Sequence, residues 1–367
     1  MNVFSQSGVG NHEPALQLNA TYKGDFVHNF KGGIAIGSTY LGLADLFVSF
    51  STEKAGLWKG GEFLVHGSNT HGGEPTAELV GDFQGISNIE AGNHTFLYEL
   101  WVRQKLFNVT ATVGLQDLNV EFANSNVSSL FLNSSFGINS VIATNIAAPI
   151  FPVTKPGITL SADISKNITL KSAVYKGCPV DFEANPYNLN WNTNYQDGLL
   201  FIIESQYAWT GSNERYNLVK GGVFFHQYCP VEQMYNHQST HLLKSQGIYL
   251  VGEHQLSLTE NEGEGLKIFY QGAFSPGNEN FGYFGAGFSY TGLLSSKDSD
   301  VLGLAFSDGM RDNDCGNNEI SYELTYKVQL SDQIYLQPDM QYVVHPGGTE
   351  SRLGNAIVGL LRVGMEF

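Results

Sequence analysis

The chain has 367 residues, only 15% of them charged and 13% aromatic, with 42 glycines and 11 prolines. Average globular chains carry roughly 25% charged residues, yet mean hydropathy is only −0.13, and no run approaches the ~20 apolar residues that a membrane helix needs. A net charge of −16, from 19 basic and 35 acidic residues, argues against a nucleic-acid partner, whose phosphates demand a basic patch.

Low charge, many Tyr and Phe, and neutral hydropathy together suit strands with one greasy and one polar face. Leu16 to Phe26 alternates Leu16, Leu18, Ala20 and Tyr22 against Gln17, Asn19, Thr21, Lys23 and Asp25. Strands are expected at 40–51 and 58–68, the latter with Phe63 and Val65 opposite Glu62, Leu64 and His66. Residues 69–91 are rich in Gly and acid and read as a long connection, with room for a small hairpin at 82–90. Thr95 to Lys105 then alternates Phe96, Tyr98, Leu100 and Val102 against Glu99, Trp101, Arg103 and Lys105. Val109 to Asp117 follows a tight turn, and 118–156 is the longest gap. A structureless gap of that length inside a compact domain marks a functional segment or a faulty assignment. Ten further strands are expected at 157–165, 168–175, 198–207, 216–227, 247–256, 265–274, 281–291, 300–307, 318–330 and 333–344. The last strand runs from 356 to Phe367. In 318–330, Ile320, Tyr322, Leu324, Tyr326 and Val328 face one way, and Glu319, Ser321, Glu323, Thr325, Lys327 and Gln329 the other.

An alternating strand suits a soluble sandwich or a membrane barrel, and connection length separates them. Counted back from the C-terminus, connections are long at 345–355, tight at 331–332 and moderate at 309–317, then long at 228–246, moderate at 209–215, long at 177–197, tight near Lys166 and very long at 118–156. Short turns on one rim and long loops on the other mark an outer-membrane barrel. Carried to the N-terminus, the alternation gives about sixteen antiparallel strands if 69–91 is one outer loop. The fold expected is an all-β, up-and-down transmembrane barrel over 1–367. Residues 1–15 form a periplasmic segment, and 69–94 and 118–156 are inward-folded constriction loops. Both termini then lie on the periplasmic side. Met1-Asn2-Val3-Phe4 has neither region of a secretory signal, which suits a mature outer-membrane chain and equally a cytosolic one.

Ordered motifs along the chain resemble the carbohydrate-selective porins of Gram-negative outer membranes, the OprB family. They are Gly67 to Gly73 with Asn69 and His71, Ala77-Glu78-Leu79-Val80-Gly81-Asp82, Tyr98-Glu99-Leu100-Trp101 and Glu121-Phe122-Ala123. Phe131-Leu132-Asn133-Ser134-Ser135-Phe136-Gly137, Leu336-Gln337-Pro338-Asp339, His345-Pro346-Gly347-Gly348 and the terminal Phe367 complete the set. The resemblance implies a monomeric, sixteen-stranded channel for monosaccharides, with an acid and a base at its narrowest point. The positions matching that pair are Glu99 and Arg103. Four residues apart on one strand, they lie about 13 Å apart, too far for a direct ion pair. Each is then free to meet sugar hydroxyls or a loop residue. Trp101 lies between them on the same face, where its ring can stack on the apolar face of a pyranose. Glu62 and His66 are expected to point inward from the neighbouring strand, His66 either toward the solute or bonded to the 69–91 loop. Asn133, Ser134 and Ser135 sit among Leu130, Phe131, Leu132 and Phe136, a pattern that wedges its apolar side into the wall and turns amides and hydroxyls to the pore.

Function expected on these grounds is passive diffusion of small sugars such as glucose, with outer-membrane lipid and lipopolysaccharide as surroundings. The alternative is a less selective, cation-preferring pore; a barrel enzyme would need a nucleophile and base that are not found. No cofactor is expected, since glycine phosphate loops and HExxH are missing. His237 and His241 fall in an expected loop, and Asp312, Asp314, Asn317 and Glu319 have Gly316 one place early for an EF-hand loop. Cys178, Cys229 and Cys315 match no zinc spacing. Cys178 and Cys229 can pair if their loops meet.

Overall fold

The structure, a computed structural model, describes residues 14–177, 182–191, 198–211, 215–228, 243–257, 265–294, 300–312, 318–348 and 353–367. Cys178, Cys229, Cys315, His237, His241, Asp314 and Asn317 lie outside them. The strands are β1 (Leu16–Gly33), β2 (Gly37–Ser51), β3 (Gly61–Gly72), β4 (His94–Leu106), β5 (Val109–Gln116) and β6 (Lys155–Asp163). Next come β7 (Ile168–Lys176), β8 (Gly198–Thr210), β9 (Tyr216–Tyr228), β10 (Leu243–Gln255) and β11 (Leu266–Phe274). The last five are β12 (Asn280–Thr291), β13 (Asp300–Arg311), β14 (Glu319–Gln329), β15 (Ile334–Val344) and β16 (Gly354–Glu366). Each pairs antiparallel with its neighbours in sequence, and β16 pairs with β1 to close the barrel. Closure leaves no exposed sheet edge, which hydrocarbon would not tolerate. At the seam Asp25 faces Arg362, whose Nε and Nη2 each donate to a carboxylate oxygen at 2.7 Å.

Burial runs opposite to that of a soluble sheet. On β14, Tyr322 and Leu324 are 47% and 48% exposed, whereas Ser321, Glu323 and Thr325 are fully buried. An apolar outer face suits lipid, and a polar inner face suits a lumen, as the alternation of 318–330 led us to expect.

Connection lengths are sorted less strictly than expected. The rim opposite the termini carries 73–93, 117–154 and 177–197, but also the tight link 34–36 between β1 and β2. On the terminal rim, 52–60, 256–265 and 292–299 are longer than 275–279 opposite. Within 73–93 there is no strand: one π-helical turn, Thr76–Val80, ends on Gly81 at φ 81°, a left-handed conformation that favours glycine. The even strand count survives for that reason. Trp58, expected to open a strand, sits in the turn before β3 and donates its indole N–H to Gln104 Oε1 at 2.8 Å.

The gap at 118–156 is not structureless. It holds α1 (Leu118–Glu121), a 3-10 turn Ser128–Leu130, α2 (Ser134–Gly137) and α3 (Ser140–Asn145), all too short to show a helical period. Both long connections fold into the barrel and build apolar cores there. Leu79, Val80, Ile86, Ile89 and Leu132 pack on Val27, Leu41, Leu43, Val343, Val358 and Leu360 of β1, β2, β15 and β16. On the other side Leu118, Phe122, Val141 and Ile142 pack on Tyr175, Leu200, Ile202, Phe224, Tyr249 and Tyr283. Part of the inward wall is therefore apolar, because it meets loop and not water.

Candidate functional site

Inward carboxylates hold the loops in place. Glu323 of β14, fully buried, accepts the backbone N–H of Leu132 at 2.5 Å and of Asn133 at 3.0 Å. Glu319 accepts from Phe83 at 3.0 Å, Gln84 at 3.0 Å and Gly347 at 2.6 Å. Glu204 of β8 takes the N–H of Ala123 at 2.8 Å, and Glu253 of β10 that of Asn126 at 2.6 Å. Cations do the complementary work: Lys220 Nζ donates to the Asn124 carbonyl at 2.9 Å, and Lys155 Nζ to that of Ala147 at 2.8 Å. Buried loop backbone needs partners, and the inward carboxyl and ammonium groups of the wall supply them. These anchors escaped the sequence reading, although an inward Glu on β14 was visible in the alternation.

Asn133 belongs to this machinery and does not face the pore. It is fully buried; its side-chain oxygen caps α2 by accepting from Ser135 N at 3.0 Å, and its amide donates to Gln341 Oε1 at 3.3 Å. The apolar wedge expected of 130–136 is present, but its amides and hydroxyls are consumed by the wall.

On β4 the strict alternation breaks at one point. His66 pairs with Glu99 and Gly67 with Leu97, so Tyr98 is the extra residue of a β-bulge. Glu99, Trp101 and Arg103 face inward below the bulge, as expected. Above it the phase flips. Tyr98 and Phe96, expected to meet lipid, are buried at 6% and 3% exposure. Tyr98 donates its hydroxyl to Asp117 Oδ2 at 2.5 Å, and Phe96 packs near Phe151 and Phe182.

Glu99 is correspondingly withdrawn from the lumen. It is 7% exposed and lies 3.4 Å from His66 Nδ1; it accepts from the Trp101 indole N–H at 3.1 Å and the Asp117 N–H at 3.4 Å. His66 meets Asp45 Oδ1 through Nε2 at 3.0 Å and lies against the Phe47 ring. Its partners are thus strand residues, not the 73–93 loop.

Arg103 and Glu62 remain accessible. Their side chains are 28% and 54% exposed and approach to 3.8 Å. The Arg103 guanidinium lies 4.5 Å from the Trp101 ring centroid, and its Nη2 donates to Glu121 Oε1 at 2.8 Å. Glu121, on α1, also accepts from Lys171 Nζ of β7 at 2.7 Å. Glu62, Arg103, Glu121 and Lys171 form a row of alternating charge, with Trp101 beside it. Burial alone would raise the Glu121 carboxyl, but Lys171 and Arg103 outweigh it and hold it below the usual range. Lys171 was missed by the sequence reading, although it lies on the inward phase of 168–175.

Asp117 roots the long loop and caps α1 by accepting from Asn119 N at 2.7 Å. Burial, with the Glu99 charge added, pushes its carboxyl up to about 7. An acid raised on folding stabilises the docked state fully only below its ordinary range near ~4, and the contribution shrinks as pH rises and is gone above its folded value. The loop root should therefore loosen between about pH 4 and pH 7. Channel noise recorded across that window should rise with pH in the parent protein and stay flat in Asp117→Asn; the same titration in the variant would place its source elsewhere.

A closed sixteen-strand barrel with loops folded inward onto a charged wall is the architecture of a porin. Residues 36–367 match the carbohydrate-selective porin, OprB family, and the chain belongs to that family. The fold is similar to the high-pH structure of Pseudomonas putida OprB, with a TM-score of 0.84 at 17% identity over 96% of this chain and 94% of that one. The low-pH structure of the same protein gives 0.61 at 14% identity over 96% and 93%. The outer-membrane channel DcaP of Acinetobacter baumannii gives 0.58 at 10% identity over 96% and 97%. No curated protein matches the chain in sequence. Family and fold together indicate the Gram-negative outer membrane.

Proposed function

We propose that the chain conducts small neutral sugars such as glucose passively across the outer membrane, without covalent chemistry. The observation that carries this reading is the row Glu62, Arg103, Glu121 and Lys171 beside Trp101. Alternating charges sum to little net field, so they favour neither ion strongly, yet they present acceptors and donors in turn to successive hydroxyls. Trp101 adds a flat apolar surface for a pyranose ring. Arg103 and Glu62 touch the solute, while Glu99, His66 and Asn133 position the groups and loops around it. Binding must stay weak, since a tight site would block flux.

Both termini are assigned to the periplasmic side, the inward loops to the external half, the protein to a monomer, and its outer surface to lipid and lipopolysaccharide. In planar bilayers, glucose should reduce the ion current in a saturable manner. A current that glucose leaves unchanged at every concentration would assign the chain to the less selective, cation-preferring pores that its charge of −16 also suits.

A further inference from the structure

Four neighbouring strands place a second charged group on the inward wall, away from the row described above. Lys23 of β1 lies opposite Gly364 of β16, and Gly364 lies opposite Tyr335 of β15. Gly364 is needed there, since a Cβ would fall 2.0 Å from a Tyr335 ring carbon. The ring lies over the glycine, and Lys327 of β14 sets its Nζ 4.0 Å from the ring centroid. Lys23 and Lys327 are both partly exposed on the inward face.

Their neighbours set these two apart from Arg103, Lys171, Lys220 and Arg362 of the same wall. Asp25 is taken by Arg362, and Asp45 by His66 and Ser68. Glu366 acts on Lys327 electrostatically but makes no ion pair with it. Arg103, Lys171, Lys220 and Arg362 all donate to loop or wall oxygens. Lys23 and Lys327 form no hydrogen bond or ion pair among the described residues. Asp25 and Asp45 act on Lys23, and Glu366 on Lys327, only at longer range, so both ammonium groups keep their donors, and one is steadied over an aromatic ring. Wall lysines are a recognised means of favouring anions in a pore.

The geometry points to an anion subsite at Lys23 and Lys327 that takes the acidic group of a monosaccharide, a carboxylate or a phosphate. This rests on the channel reading above and widens its substrates from neutral sugars to sugar acids and sugar phosphates. Arg362, two residues from Gly364 on β16, is already neutralised by Asp25 and leaves the anion to the two lysines. The hydroxyls of the same solute would be left free to meet the lumen water.

The test is current block in bilayers by glucose, glucuronate, glucose 6-phosphate and inorganic phosphate, with the parent protein, K23Q/K327Q and K23R/K327R. The acidic sugars should block the parent more strongly than glucose, and the Gln variant should lose about tenfold of that excess. Its reversal potential in a salt gradient should move toward cation preference. The Arg variant should keep both properties, and glucose block should be the same in all three. Glucuronate block unchanged in the Gln variant would overturn the subsite. Inorganic phosphate blocking as well as the sugars would also overturn it, leaving a bare-anion site. Glucose failing to block any of the three proteins would instead count against the channel reading, which keeps the two failures apart.

Discussion

Replacing Glu323 with alanine should raise the single-channel conductance several-fold and abolish discrimination among sugars, while the barrel itself stays folded. Two buried N–H groups, those of Leu132 and Asn133, would lose their acceptor. Leaving a buried donor unpaired costs about 1–3 kcal/mol. Weaker neighbouring contacts, such as the 3.3 Å bond from Asn133 to Gln341, do not offset that. The cheaper response is for segment 131–137 to leave the wall and admit water. The strand ladders do not depend on this side chain, so heat-resistant migration in detergent gels should persist. Glu323→Gln retains one acceptor oxygen and should fall between. Parent-like conductance in the alanine variant would show that the apolar contacts of Phe131 and Phe136 on Phe269 and Ala305 hold the segment alone.

Arg103→Ala should weaken glucose block about tenfold, equivalent to about 1.4 kcal/mol. A larger figure is not expected, since the side chain is partly solvated and its ion pairs are screened. Loss of the guanidinium removes the donor facing Glu62, uncovers the Trp101 ring and leaves Glu121 paired with Lys171. Conductance should rise and the pore should turn more cation-preferring, because two acids then face one base. Arg103→Lys keeps the charge but not the planar fork that bonds Glu121 while covering Trp101, so it should recover selectivity more than sugar block. Glucose block equal to the parent's in the alanine variant would sink the assignment of this row to the sugar path. Glu99→Ala reports something else. Glu99 touches the loop root through Asp117 and steadies the Trp101 indole, so its loss should disturb loop and ring together.

The motifs that carried the family resemblance coincide with the places where loop meets wall. Phe131 to Gly137 docks on Glu323, and Gln337 donates to the Leu130 carbonyl at 2.7 Å. Gly347 donates to Glu319, and Ala123 to Glu204. The sequence showed them as ordered similarities without saying what they do. Asn133 illustrates the gap: an amide flanked by apolar residues reads as pore-facing, yet it caps a one-turn helix and is fully buried.

What the chain determines by itself is the wall. A period of two is a local property, so the strands and their inward and outward faces follow from side-chain order. Glu62, Trp101 and Arg103 were placed on the lumen side for that reason, and they face it. The tertiary structure alone decided where that order fails and what fills the space. One extra residue at Tyr98 reverses the phase of β4 above Glu99, and nothing in the spacing of Phe96, Tyr98 and Leu100 announces it. The alternating row depends on Glu121 arriving from a loop and Lys171 from three strands away, contacts that no local pattern encodes. Loop position is set by hydrogen bonds between segments far apart in sequence, such as the 191 residues between Leu132 and Glu323, and only the closed barrel brings such residues together.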